Sequence, residues 1–308
     1  MVQLTPSVLR TPAGHGIPVN VISSKHPVKQ GKRIMNVPLL DESGIRVVAA
    51  CAKEAIDHKK DCMIEWTGWR GVGKSTGILW TALAIDPKID IDKIAFWTHD
   101  ITRLFATNPR GHGPTKTEPG LYPQIISDET GYALHGKQWQ TRAQIEISKN
   151  MIINRIMAQI FHMAAPDKMQ INNEIRNMAF MWIHVSEPDW YKQGYAVVRF
   201  APPQKQSEFY STKYWEPKFA FIYPELTGEL WDRYEAKKFE FVREASLLTA
   251  SGKNLAPEKH SEARDTLIRE YYSYRKERGD PISCRDLAGK IALSKTQIST
   301  ILNESSTS

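Results

Sequence analysis

Cysteine is scarce in this sequence. Cys51, Cys62 and Cys284 are its three, they lie far apart, and no C-x-x-C pair occurs. That scarcity excludes a disulfide framework, argues against structural zinc, and fits a reducing compartment. The nine histidines are scattered as well. No apolar run approaches the ~18 residues a membrane span needs, and no signal-peptide pattern opens the chain. The expectation is a chain without a membrane span that works in the cytoplasm, or in the host's cytoplasm if the source is viral. Internal repeats and low-complexity tracts are also missing, which argues against a solenoid.

What is present suits a globular protein. The 308 residues allow one large domain or two smaller ones. They are 41% hydrophobic, with nine Trp and eleven Tyr, enough for a substantial core. The net charge of +7 and isoelectric point of about 9.1 permit an acidic polymer as partner.

The most informative segment is 68–75, Gly-Trp-Arg-Gly-Val-Gly-Lys-Ser. It fills the template G-x-x-x-x-G-K-[ST] through Gly68, Gly73, Lys74 and Ser75. An apolar run, Cys62-Met63-Ile64-Glu65-Trp66, precedes it as a strand would, and residues 76–84 follow with helical apolar spacing. Such a loop wraps its backbone around an anion. Gly68, Trp69, Arg70, Gly71, Val72, Gly73, Lys74, Ser75 and Thr76 would line it, with a helix dipole behind. Lys74 would meet the β- and γ-phosphates of ATP, and Ser75 would offer its hydroxyl to Mg2+.

Hydrolysis needs a carboxylate at the end of a later strand. Residues 124–127, Gln-Ile-Ile-Ser, form a short strand candidate ending in Asp128-Glu129. Asp128 would hold the Mg2+ shell, and Glu129 would act as general base on the attacking water. A surface turn with two solvated acids is the other reading of this pair.

Strand candidates at 61–67, 93–98, 123–128, 179–185 and 194–200 alternate with helical stretches, and 219–223 is a late addition. The expected fold is α/β with a mostly parallel, doubly covered sheet. A helix is expected over 45–58 and a long helical segment over 141–164. Residues 1–45 read as an arm or edge extension, partly disordered when alone, and 46–250 as a phosphate-loop ATPase domain. Residues 251–262 read as a linker. Residues 263–308 read as a small all-α helix-turn-helix domain. Its helices are expected over 263–278, from 283 to 291 with Asp286 near the N-terminal end, and over 295–302 with Ser294 as cap. Ile298 and Ile301 would pack inward. Ser294, Lys295, Thr296, Gln297, Ser299 and Thr300 would face DNA phosphates and base edges. A helical cap for oligomer contacts is the alternative.

On Gly68–Ser75, on Asp128-Glu129 and on the pattern that follows them, the chain resembles the phosphate-loop motor ATPases of the RecA-like division. Within it the likeness is to the FtsK/HerA-type superfamily in compact plasmid or viral versions. The resemblance covers about 60–240. It implies a RecA-like sheet of order 2-3-4-1-5 in chain numbering, with 179–185 between the phosphate-loop strand and the acidic strand. Ser186 would then sense the γ-phosphate beside Asp128 and Glu129. It also implies an arginine acting from a neighbouring subunit, with Arg142, Arg155 and Arg176 as candidates and Arg176 first, and therefore a homo-oligomeric ring or filament. The activity it implies is DNA-dependent ATP hydrolysis coupled to translocation, packaging or transfer. The runner-up is an AAA+-like loader, partition or transposition regulator.

Overall fold

The computed structural model describes residues 4–30, 32–58, 62–106, 122–128, 130, 159–167, 171, 175, 178–188, 194–201, 215–250, 272, 283–284, 286–287 and 295–303. Its chain forms two compact units, Met1–Ala236 and Lys237–Ser308.

The first unit is built on a ten-stranded mixed sheet. Its strands are β1 (Thr5–Arg10), β2 (Gly16–Gln30), β3 (Arg33–Leu40), β4 (Cys62–Thr67), β5 (Ile94–Ala95), β6 (Gln124–Ser127), β7 (Ile160–Ala165), β8 (Met181–Ser186), β9 (Gly194–Phe200) and β10 (Pro217–Tyr223). They lie in the order β1-β2-β3-β10-β9-β8-β4-β7-β6-β5. The block β8-β4-β7-β6-β5 is parallel throughout, and β9 joins it antiparallel. β4, the strand before the phosphate-loop motif, is buried along its whole length. A strand covered on both faces carries a continuous apolar run rather than an alternation.

Helices cover both faces. α1 (Ser43–Asp57) buries eleven of its 15 residues, Ile45, Val48, Ala49, Ala52 and Ile56 among them, and leaves only a narrow stripe outside the core. α2 (Lys74–Ile85) buries Ile78, Leu79, Ala82 and Ile85 on the same sheet face. Each fully buried aliphatic side chain of this kind stabilises by roughly 1.5–3 kcal/mol. On the opposite face, Ile101 and Leu104 of α3 (Thr98–Ala106) join Met63, Ile125, Phe161 and Met163 in one apolar cluster.

Three expectations change here. The strand between β4 and β6 is β7, at 160–165, which the sequence had placed at the end of a long helix. Ile-Phe-His-Met-Ala-Ala is buried at every position, so no period-two alternation marks it as a strand. The strand expected in that place, near 179–185, is β8, and it flanks β4 on the other side. The strand expected over 93–98 is only Ile94–Ala95, because Thr98 already begins α3. The segment read as an arm or edge extension forms, where described, β1 to β3, which continue the sheet beyond β10.

The second unit begins within α4 (Glu229–Ala250). Farther on, Leu287, Ile298 and Ile301 pack together with Tyr272, Cys284 and Leu302 against them. Ile298 and Ile301 lie on α5 (Lys295–Asn303). The Asp286 amide donates to Ser283 Oγ at 3.1 Å, a side-chain cap at a helix start. No helix among the described residues is long and apolar enough to cross a membrane.

One buried side chain ties the fold to pH. His162 on β7 is fully buried, and its Nε2 lies 3.2 Å from Gln124 Oε1, whose amide nitrogen in turn donates to the Ala82 carbonyl. Burial pushes the imidazole pKa down to about 3. The unfolded chain takes up a proton here near pH 6.5, and the folded chain does so only near pH 3. The stability this neutral ring contributes is complete above pH 6.5 and is lost on acidification through that window, at up to about 1.4 kcal/mol per pH unit. We expect urea unfolding of wild type to weaken from pH 6.5 to pH 4 more steeply than that of His162→Asn. Parallel pH profiles would contradict the assignment.

Candidate active site

The loop between β4 and α2 is shaped by its glycines. Gly73 caps α2 with φ 91°, a left-handed conformation that costs glycine nothing. α2 therefore starts at Lys74, directly after the loop. Lys74 Nζ donates to the carbonyls of Gly68 and Trp69, each at 2.8 Å, so the ammonium is held across the loop's own entrance. Trp69 is 82% exposed, and Arg70 and Gly71 are exposed beside it. Val72, Gly73, Ser75 and Thr76 are half-buried.

The loop is tied to its surroundings at three points. The Gly68 amide donates to the Pro166 carbonyl, just past β7, at 3.3 Å. The Tyr223 hydroxyl, at the end of β10, donates to the Gly73 carbonyl at 3.0 Å. Thr67, the last residue of β4, accepts from Trp182 Nε1 at 2.7 Å, and its hydroxyl hydrogen-bonds His184 Nδ1 at 3.1 Å. Tyr223 is buried, which pushes its phenol pKa far up and keeps it a donor.

The acidic strand meets the loop directly. Ser75 Oγ lies 3.1 Å and 3.3 Å from the two oxygens of Asp128, 53 residues away in the chain. Asp128 is 2% exposed. Its backbone amide donates to Ala95 of β5 at 3.1 Å. Thr130 steadies the turn after it, donating to the Ser127 carbonyl at 2.7 Å and accepting from the Ala164 amide at 3.1 Å. A third group arrives from α4: the Tyr234 hydroxyl donates to Asp128 Oδ2. Its ring is 2% exposed and packs against Trp231 and Phe96, with centroids 5.1 Å and 6.2 Å away.

Ser186 does not join this group. It is half-buried at the end of β8, three strand spacings from β6, which is roughly 14 Å. The place beside Asp128 is taken by the end of β7, Ala165 and Pro166, because β7 and not β8 separates the two motif strands. Glu129, Arg142, Arg155, Arg176 and Ser294 lie outside the described residues. Lys295, Thr296, Gln297, Ser299 and Thr300 are on α5, where Thr296 is exposed and Ser299 half-buried.

Tyr223 and Tyr234 were not foreseen from the sequence. Tyr223 ends an apolar strand and Tyr234 sits among charged residues, and nothing local says which carbonyl or carboxylate either hydroxyl will reach.

No protein-family model and no curated protein matches the chain. Among solved structures it is similar to the N-terminal domain of zonular occludens toxin from Neisseria meningitidis, at 12% identity and a TM-score of 0.34, over 56% of this chain and 97% of that one. It is also similar to the genome packaging NTPase B204 from Sulfolobus turreted icosahedral virus 2 in complex with ATP-gammaS, at 15% identity and a TM-score of 0.34, over 54% and 98% of the two chains. Likeness at these scores is too distant to transfer an activity.

Two substitutions probe the supports. Tyr234→Phe keeps the ring and removes a donor from a buried carboxylate. It should lower the unfolding free energy by about 1.5–3 kcal/mol in urea titration, and an unchanged midpoint would show the hydroxyl to be idle. A Cβ on Gly194 would lie 2.1 Å from the Tyr223 ring. Gly194→Ala should therefore cost roughly 1–3 kcal/mol by overpacking and loosen the Gly73 end of the loop. Wild-type stability and ligand affinity in that variant would contradict this.

Proposed function

We propose that this chain is a Mg2+-dependent ATP hydrolase that couples turnover to moving, packaging or transferring duplex DNA. The observation that carries the ATPase part is the meeting of Ser75 with Asp128 at the mouth of a glycine-shaped, amide-lined loop. A chance glycine turn has no reason to place a hydroxyl from its following helix on a buried carboxylate from a distant strand.

The residues suit Mg2+. Ser75 and Asp128 present hard oxygens, and Mg2+ favours one or two carboxylates supplemented by phosphate oxygens and water. Bound there with nucleotide, the ion would neutralise charge on the phosphate tail. Lys74 would exchange its two backbone carbonyls for phosphate oxygens, and the α2 amides would bind the rest of the anion. Asp128, fixed through its amide and by Tyr234, would hold its orientation as the ligand enters. Glu129, next in the chain, is the proposed base that takes the proton of the attacking water. An arginine of a neighbouring subunit, Arg176 first and Arg142 or Arg155 after it, would stabilise developing charge and make the working form an oligomer.

The DNA part rests on the resemblance in the sequence, on the basic charge and on the C-terminal helices. Against the AAA+-like regulator stands the stretch after β8. That reading calls for a helical lid there, and the described residues of the stretch are the strands β9 and β10.

Nucleotide binding and turnover, measured with and without duplex DNA, test the proposal. Lys74→Ala should weaken ATP binding at least ~10-fold and bring turnover to background. Glu129→Gln should keep ATP binding and stop turnover. DNA should raise the wild-type rate. Equal ATP affinity in wild type and Lys74→Ala would overturn the nucleotide site, and a rate indifferent to DNA would overturn the motor.

A further inference from the structure

The first 40 residues hold five of the chain's 41 lysines and arginines and none of its 34 acids, which leaves 36 against 34 for the rest. Most of the +7 charge therefore sits in one piece of structure. Arg10, Lys25, Lys29, Lys32 and Arg33 are all exposed. Among the described residues none of the five takes part in an ion pair.

Arg10 ends β1, and the other four lie on or beside a two-stranded ribbon. β2 pairs with β1 only through residues 16–21, and β3 pairs with β10 only at Leu39 and Leu40. Between those anchors, residues 26–30 of β2 and 33–37 of β3 pair with each other alone. One face of the ribbon is fastened down. Val28 and Val37 pack with Tyr195, Val197 and Ala220, His26 bonds Tyr195 Oη at 3.0 Å, and Gln30 donates to the Trp215 carbonyl at 3.0 Å. The alternate positions, Lys25, Pro27, Lys29, Ile34 and Asn36, are all exposed. Lys29 opposes Ile34 across the strands, and Lys32 and Arg33 continue the positive charge around the turn.

We infer that the outward face of this ribbon is a contact surface for duplex DNA. The inference rests on the reading that the chain acts on DNA, and it assigns that contact to a part of the chain remote in sequence from α5. A two-stranded antiparallel ribbon fits the roughly 12 Å width of a major groove. Its inner face is held by packing, so the outer one is presented without an ordering cost. Lys29, Lys32 and Arg33, close together around one turn, repel one another, and a polyanion relieves that repulsion. The outward face carries one large apolar side chain, Ile34 at 73% exposure. That is too little to enter a lipid surface, so the charge complementarity favours DNA.

The test uses the full chain and a duplex of about 40 base pairs and mixed sequence, long enough for a groove-wide footprint, with anisotropy titrations across a range of salt. The triple variant Lys29→Gln, Lys32→Gln, Arg33→Gln should bind roughly 10- to 100-fold more weakly at moderate salt. Its log–log salt slope should be shallower by about 3, close to one for each phosphate the variant no longer neutralises. In wild type, bound duplex should shield Lys29 and Lys32 from amine acetylation read by mass spectrometry, a measurement that needs no variant. Unchanged affinity and slope with unshielded lysines would overturn the inference and leave the charges as guards of an exposed ribbon edge. A variant that no longer binds phosphatidylserine vesicles but keeps its DNA affinity would overturn it in favour of a membrane. A wild-type chain with no affinity for duplex would sink the DNA reading itself, whereas DNA binding abolished only by substitutions on α5 would sink the ribbon alone.

Discussion

A carboxylate taken out of water must find donors or lose its charge, and Asp128 finds them in hydroxyls from two distant parts of the first unit's chain. Leaving such a group buried and unsatisfied costs several kcal/mol. The Ser75 and Tyr234 hydrogen bonds offset that cost, and in doing so they fix three separate elements against one another: the start of α2, the end of β6 and the first turns of α4. The candidate site is therefore part of the stability of the fold.

The second constraint is crowding beneath the loop. Tyr223 is 1% exposed and reaches the Gly73 carbonyl only because Gly77 and Gly194 leave room for its ring. β10 comes late in the chain, yet it underpins a loop that the chain made 150 residues earlier. The sheet carries this coupling. β8 and β7 flank β4 in parallel register, so the ends of all three come out at one edge, and the loop, Pro166 and Thr67 meet there. Open parallel sheets bind ligands at that carboxyl edge for this geometric reason.

Charge is distributed separately from chemistry. The candidate active site lies in the parallel block of the sheet, while the excess of positive charge lies at the far edge, on the β2–β3 ribbon. One sheet thus connects the proposed phosphate site to the surface proposed for a polyanion. That surface is anchored by apolar packing on its other face, so its cations contribute nothing to its attachment.

Local chemistry made part of this legible. Gly68 to Ser75 announced a tight turn from strand into helix because the backbone geometry it needs is written in glycine at fixed spacing. Asp128 could be named because a strand-like run ended in an acid. Ile298 and Ile301 could be placed inward from helical spacing alone. β7 could not be found, since a strand buried on both faces loses its alternation, and mistaking it for helix carried Ser186 to the wrong side of β4. Which strand lies between two others depends on how the sheet closes over its helices, and no residue encodes that by itself. The same holds for Tyr223 and Tyr234: only the packed fold decided that one hydroxyl would hold the loop and the other the carboxylate. Sequence supplied the groups able to bind an anion, and tertiary structure chose which of them face each other, because hydrogen bonds between distant segments form only where packing brings their ends within reach.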